Sequence, residues 1–163
     1  MNPWEPITPV WSCGSLPARS PTTYRQVVEM LDVARNARYQ PKPGATFCNI
    51  FLWDATKANG CEIPHWVYGH EHSANDVCDW LRHEGPANGW TSVDSGHARV
   101  RANAGFPTVA AWKNPSGPGH VAVVLPSPDD GPTRIAQAGR HNFFDEPITH
   151  GFGDLQPLFY THD

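Results

Sequence analysis

Residues 108–125, TVAAWKNPSGPGHVAVVL, contain two apolar runs on either side of a turn-forming stretch, and this stretch decides the fold. The first run, residues 108–112, predicts a strand. The second, residues 120–125, is apolar enough to predict a strand that is buried on both faces. The Pro- and Gly-rich residues 114–119 predict the turn that joins them. We therefore expect an antiparallel hairpin whose second strand begins at His120.

The hydrophobic period changes on the N-terminal side of this hairpin. Downstream, residues 133–138 predict a third strand and residues 158–160 a last one. Upstream, apolar residues recur at helical spacing, and helices are predicted to begin at Thr22 or Thr23, at Thr46, at Ser73 and at about Ser95. The first of these helices is predicted to stop before Pro41. Helices followed by a meander of antiparallel strands are typical of an α+β fold.

The predicted helix that begins at Thr46 is the most apolar of the four. Its apolar residues follow an i, i+3, i+4, i+8 pattern, which predicts that it lies in the centre of the core. We expect Thr46 to cap its start and Asn59-Gly60 to end it. Residues 61–72 predict a loop, and Ser73 with Asp76 approximates a capping box for the next helix.

The chain has the length and composition of one globular domain. It contains 163 residues, and 17 prolines with 14 glycines exclude a bundle of long helices. Residues 1–21 hold five prolines, which predict an extended N-terminal arm. Residues 22–163 are predicted to form a single domain.

Charge and hydropathy exclude several classes of function. The net charge is −4 and no basic run exceeds two residues, so we expect no nucleic-acid partner. No window of 18 apolar residues is present, which predicts that the chain has no membrane span. The first residues lack the basic and apolar regions of a secretory signal, so we expect synthesis in the cytoplasm. Four irregularly spaced cysteines predict no disulfide framework, and we expect a reducing compartment.

Three residues form a candidate nucleophilic site. Cys48 lies in the first turn of the apolar helix, where unpaired N–H groups and the helix dipole favour a thiolate. His120 opens a rigid apolar strand and is a suitable base for that thiol. Gln137 lies one hairpin later and is predicted to orient the imidazole.

The motifs around these residues resemble those of a known family. The segments TFCNIF (residues 46–51), GHVAVV (119–124) and IAQAG (135–139) are similar to motifs of the NlpC/P60 and CHAP peptidases. These are papain-like cysteine enzymes that cut bonds in peptidoglycan. The resemblance covers roughly residues 22–145. It implies a papain-like fold of the NlpC/P60 type, with N-terminal helices packed on a small antiparallel sheet.

The resemblance also implies roles for individual residues. Residues 22–163 would be a catalytic domain in which Cys48 is the nucleophile, His120 the general base and Gln137 the orienting residue. Two departures from the family pattern are Phe47, where an Asp often precedes the nucleophile, and the neutral Gln137, where CHAP members often have an acid.

Other residues are candidates for supporting roles. Asn142 is the alternative third residue, ahead of His141. Tyr39 and Asn49 are expected near the oxyanion or the substrate. The aromatic side chains of Trp66, Tyr68 and Trp90 are expected to line a groove, where a peptide or sugar can stack.

A histidine-rich segment raises the question of a metal. Residues 61–78 contain Cys61, His65, His70, His72 and Cys78, which are zinc-type ligands. Their spacing matches no standard zinc pattern, so we predict a loop beside the cleft, with no metal and no cofactor. Asp129-Asp130-Gly131 predicts a turn rather than a calcium site.

The resemblance implies a peptidoglycan amidase or endopeptidase with a peptidoglycan peptide as substrate, which cuts either the sugar–peptide amide or a bond within the stem or cross-link. We expect a phage lysin or an antibacterial effector that reaches the periplasm or cell wall by a holin or a type VI secretion machine, with an immunity protein as partner. One alternative is a papain-like hydrolase or acyltransferase that acts on a cytosolic protein or small amide. Another is a catalytically inert binding or assembly domain.

Overall fold

A six-stranded antiparallel sheet and the helices packed on it make a mixed α+β domain. The structure is a computed structural model, and it describes residue 5, residues 19–127 and residues 130–163. Most of the predicted N-terminal arm, Cys13 and Asp129 therefore lie outside the described residues. Among the described helices, none has the length and apolar character that a bilayer crossing requires.

The elements follow one another in this order along the chain. The helices are α1 (Pro21–Glu29), α2 (Cys48–Ala58), α3 (Ala74–His83), α4 (Ser95–Asn103) and α5 (Ile148–Phe152), with a short 3₁₀ helix over Gly85–Asn88. The strands are β1 (Trp66–Val67), β2 (His70–Glu71), β3 (Trp90–Val93), β4 (Thr108–Trp112), β5 (His120–Leu125), β6 (Arg134–Gln137), β7 (Phe143–Pro147) and β8 (Leu158–His162). The large sheet has the order β3-β8-β4-β5-β6-β7, and β1 and β2 form a separate hairpin.

The predicted hairpin is confirmed, and it lies at the centre of the large sheet. β4 and β5 pair antiparallel, with Ala110 opposite Ala122 and Trp112 opposite His120. The β5 residues after His120 are all buried, as a strand covered on both faces requires. His120 therefore begins its strand on a backbone fixed by the neighbouring strand.

Helix α2 is the central helix, as the apolar pattern predicts. Nine of its 11 residues are buried, and it packs against β5, α1 and α3. The predicted cap is wrong, because the N-cap residue is Phe47 and no side chain caps the helix. The N–H groups at its start are thus not satisfied by a side-chain cap.

Two helix predictions differ in outcome. The capping box of α3 is confirmed, since the Ser73 hydroxyl accepts from the Asp76 N–H and the Asp76 carboxylate accepts from the Ser73 N–H. Helix α1 ends at Glu29 rather than just before Pro41. Asp32 then adopts a left-handed φ of 50°, which a helix cannot contain. Pro21, assigned above to the arm, occupies the first turn of α1, where its missing N–H has no helical partner to lose.

Candidate active site

Cys48 is the first residue of α2, in the first turn as the sequence predicts although the helix begins later than expected, and its side chain is 5% exposed. The thiol faces the backbone N–H of Val121, the residue that follows His120, together with the N–H groups of Asn49 and Cys48 itself. The helix start and the β5 start therefore meet at this sulfur. In the part of the chain that the structure describes, no hydrogen bond links the sulfur to the His120 ring.

The pKa of the Cys48 thiol departs from the sequence expectation. The helix and strand N–H groups lower it, as predicted, but burial has the larger effect and raises the pKa above the ordinary value. The prediction of a depressed pKa is therefore wrong in its net direction. The thiol form of Cys48 is therefore favoured at neutral pH, and a base is required to ionise it.

His120 forms a short hydrogen bond with Gln137. The distance from His120 Nε2 to Gln137 Oε1 is 2.6 Å. The side chain of Gln137 is buried, whereas that of His120 is partly exposed. Burial lowers the pKa of His120, and the hydrogen bond to Gln137 opposes this by a smaller amount. The imidazole is therefore neutral near pH 7 and able to accept a proton.

The surroundings of Gln137 fix which imidazole nitrogen is free. The Nε2 amide group of Gln137 donates to the backbone carbonyl of His141 at 3.1 Å. The oxygen of the Gln137 amide is thereby directed at His120, so His120 Nε2 must be the donor in their hydrogen bond. In the neutral ring the lone pair then lies on Nδ1.

Helix α5 supports this pair from one side. The rings of His120 and Phe152 lie 4.9 Å apart between centroids. Gly151 packs so closely on Gln137 that a Cβ there would lie 2.2 Å from Gln137 Oε1. Glycine is required at this close approach because any side chain displaces the amide.

The turn before His120 is held by Asn75 at the start of α3. The Asn75 amide donates to the carbonyls of Asn114 and Gly117 at 2.9 and 3.0 Å. The side-chain oxygen Oδ1 of Asn75 accepts a hydrogen bond from the backbone N–H of Asn114 at 2.9 Å. These bonds fix the loop that delivers His120 to the sheet.

An open cleft of about 760 Å³ lies over the His120–Gln137 pair. Both residues line it, and so does Thr46, which precedes Cys48 by two residues. Its walls are formed by residues of the loops at 41–46, 114–119 and 139–141. His150 and Gly151 of α5 complete them. Cys48 itself is not among the residues that line the cleft, consistent with its small exposure.

Two candidates for supporting roles, Asn142 and Asn49, donate hydrogen bonds to backbone carbonyls. Asn142 donates to the carbonyls of Val33 and Tyr39 at 3.2 and 2.7 Å, so it ties together two loops and does not contact His120. Asn49 donates to the carbonyl of His72 at 2.9 Å, in the first turn of α2. Gln137, rather than Asn142, is the side chain that orients the imidazole.

Tyr39 belongs to a buried polar network rather than to the cleft. Its hydroxyl donates to Asp54 Oδ2 at 2.7 Å, and Arg38 Nε donates to the same oxygen at 2.7 Å. All three side chains are nearly or fully buried. This location does not support the expected oxyanion role of Tyr39.

The aromatic candidates have different surroundings. Trp66 and Tyr68 are 50% and fully exposed on the β1–β2 hairpin, within the segment predicted as loop, and neither lines the cleft. Tyr68 adopts a φ of 50° in the tight turn that it forms with Gly69. The groove prediction for Trp90 is wrong, since it is 1% exposed and begins the unpredicted strand β3.

The histidine-rich segment does not converge on one point. Cys61 donates its thiol to the Thr56 carbonyl at 3.4 Å, and His65 stacks on Trp53. Cys78 lies on α3 in a separate cavity. Within the described ranges, no group of three or more His, Cys, Asp or Glu side chains is arranged to hold a metal.

The sequence analysis did not identify three residues that support the site by hydrogen bonding or packing. Asn75, Gly151 and Phe152 position the pair or its loop, yet none lies in a motif, and only the structure brings them together. The amino-acid sequence matches no known family model and no curated protein.

Proposed function

We propose that this protein is a cysteine hydrolase that cleaves amide bonds of peptidoglycan stem peptides, with Cys48 as nucleophile, His120 as general base and Gln137 as orienting residue. We further propose that α2 and the β4–β8 region form a papain-like core. The observation that carries the proposal is the 2.6 Å hydrogen bond between His120 and Gln137 on the strand whose next N–H faces the Cys48 sulfur.

The pKa directions support a reaction that starts from a neutral pair. A buried thiol with a raised pKa does not ionise on its own at neutral pH. As the sulfur attacks the amide carbonyl carbon, the thiol proton passes to Nδ1 of His120. Gln137 keeps Nε2 protonated and turned away from the sulfur during this transfer.

The remaining steps transfer the acyl group first to the sulfur and then to water. The carbonyl π electrons move to oxygen, where the backbone N–H of Cys48 is a donor for the oxyanion. His120 gives its proton to the leaving amine as the C–N bond breaks, leaving a thioester. A water then loses a proton to His120 and attacks the thioester, which releases the carboxylic acid and restores the thiol.

Digestion of purified sacculi followed by mass spectrometry of the released muropeptides tests the proposal. The natural protein is expected to release fragments, and the Cys48→Ala variant is expected to release none while its circular dichroism is unchanged. Cys61→Ala is the matched control, because Cys61 is 4% exposed and follows the opposite end of α2. Undiminished release by Cys48→Ala would contradict the assignment of the nucleophile.

The burial of Cys48 favours a second candidate, an inert binding or assembly domain in which this cysteine is a core residue. Iodoacetamide labelling distinguishes the two. If His120 assists the thiol, Cys48 is alkylated faster than Cys61 in the natural protein, and His120→Ala removes the difference. Equal, slow labelling of both in both proteins supports the inert domain.

A further inference from the structure

The cleft over His120 and Gln137 is basic, although the chain as a whole is acidic. Of the described residues that line it, Lys42 and Arg140 carry a full positive charge, and none is an Asp or Glu. The chain contains 16 acidic and 12 basic residues, a net charge of −4. The absence of carboxylates from this surface is therefore opposite to the composition of the chain.

Among the described residues, no carboxylate forms an ion pair with Lys42 or Arg140. His150, which also lines the cleft, bonds to Glu146 at 2.7 Å. Both Lys42 and Arg140 are exposed, so their charges face the solvent of the cleft. Two unpaired cations beside one cleft attract an anionic ligand.

The backbone holds the two cations on different walls. Lys42 opens a tight turn in which Lys42 and Ala45 exchange both backbone hydrogen bonds at 3.0 Å. The Lys42 ammonium also lies 5.6 Å from the centre of the Phe47 ring, next to the nucleophile helix. Arg140 follows Gly139, whose neighbours are the side chains of Gln137 and His120.

We propose that the cleft selects acyl substrates that carry free carboxylates beside the scissile amide, and that Lys42 and Arg140 bind these carboxylates. The proposal rests on the proposed hydrolase function and specifies its substrate class. Lysine supplies a point charge and arginine a planar pair of donors, so the two suit carboxylates in different positions along a peptide. A peptide whose carboxylates are amidated loses both contacts.

A matched pair of substrates tests the selection. Peptidoglycan stem peptides in the free-acid form and the same peptides with amidated side carboxylates are supplied to the natural protein. We expect kcat/KM to be at least about tenfold higher for the free acid, because amidation removes the charge-assisted hydrogen bonds that Lys42 and Arg140 donate to the carboxylates. Equal kcat/KM values would overturn the selection and leave the hydrolase proposal intact.

Charge variants assign the effect to residues. Lys42→Met and Arg140→Met are each expected to reduce the preference, and Lys42→Arg to retain it. Lys57→Met is the control, because Lys57 lies in the last turn of α2 and pairs with Glu62. A preference that survives in the double variant Lys42→Met/Arg140→Met would overturn the assignment.

Binding separates this proposal from the hydrolase itself. Calorimetric titration of Cys48→Ala with the two peptides measures recognition without turnover. Tighter binding of the free acid, lost in Lys42→Met/Arg140→Met, supports carboxylate recognition even if no peptide is cleaved. Equal binding of the two peptides, together with equal cleavage, contradicts it.

Discussion

His120 and Gln137, 17 residues apart, lie 2.6 Å apart between Nε2 and Oε1 at the start of β5 and the end of β6. The amide is neutral, so it fixes the ring without adding a negative charge to stabilise an imidazolium. This relationship distinguishes the site from one that relies on a carboxylate. It also allows the protonation of His120 to be changed by a single near-isosteric substitution.

Gln137→Glu is expected to move the acid limb of the pH–rate profile upward. Burial holds the pKa of His120 below its ordinary value of 6.5, and a carboxylate at hydrogen-bond distance favours the protonated ring. The protonated base cannot accept the thiol proton, so activity is lost at a higher pH than in the natural protein. We expect the midpoint to rise by about one unit or more.

The measurement is kcat/KM for stem-peptide hydrolysis between pH 4 and pH 9. Gln137→Leu, which removes the hydrogen bond without adding charge, is the companion variant and is expected to lower the rate across the whole range. A profile of Gln137→Glu that overlays that of the natural protein would show that His120 is not the titrating base.

Gly151→Ala is expected to reduce turnover by displacing Gln137. The added Cβ would lie 2.2 Å from Gln137 Oε1 and 2.8 Å from Ile135 Cδ1, so the amide must shift by about 1 Å. A misplacement of about 1 Å can lower a rate about 100-fold. The matched control is Gly131→Ala, because nothing lies within 4 Å of a Cβ at Gly131.

A KM-against-kcat comparison checks the mechanism of this loss. We expect kcat to fall with KM little changed, since the base is misoriented while the cleft remains. A fall in thermal stability that accounts for the whole loss of activity would instead identify Gly151 as a structural residue.

Tyr39→Phe is expected to lower stability and leave turnover unchanged. The variant loses the 2.7 Å bond to Asp54, a contribution of about 1.5–3 kcal/mol for a bond to a charged group. Urea unfolding measures the first effect and the rate of sacculus solubilisation the second. A role in the oxyanion site predicts a rate loss of about 10²–10³-fold, which would overturn the structural assignment.

The buried His65 is expected to make the fold less stable in acid. Burial lowers the pKa of its imidazole to about 4, from 6.5. Between these values the unfolded chain binds a proton that the folded one does not, so stability falls as the pH falls from about 6.5 to about 4. The loss from this group is at most about 3 kcal/mol.

Urea denaturation at several pH values measures this dependence. His65→Phe, which retains an aromatic ring to stack on Trp53, is expected to flatten it, and His83→Gln on the exposed end of α3 is expected not to. An unchanged pH dependence in His65→Phe would assign acid sensitivity to other groups.

The sequence predicted the elements whose periodicity is strong. Residues 108–112 and 120–125 alternate or run apolar, and they form β4 and β5 as expected. Strand β7, Phe143–Pro147, was not predicted because its polar residues 145–146 and its terminal Pro147 do not follow a strand pattern. It is held instead by pairing with β6 and by the salt bridges of Asp145 to Arg25 and Arg134, which are long-range contacts.

In the candidate site, too, local sequence signals predict some features, while others depend on tertiary packing. The positions of Cys48 and His120 at the starts of their elements follow from local sequence signals, a helix start and a glycine-histidine turn. The raised pKa of Cys48 does not follow from local signals, because the burial that raises it depends on how α2 packs against β5. The local N–H groups alone indicate a lowered pKa.

Helix α5 is a five-residue insert between β7 and β8, yet it supplies the rear support of the imidazole and part of the rim of the cleft. The sulfur and the base come from other segments, in α2 and β5. Substitutions at the exposed α5 residues Thr149 and His150 can therefore reshape the rim of the cleft during evolution, while Gly151 and Phe152 keep Gln137 and His120 in place. A library randomised at residues 149–150 is the natural place to look for altered selectivity.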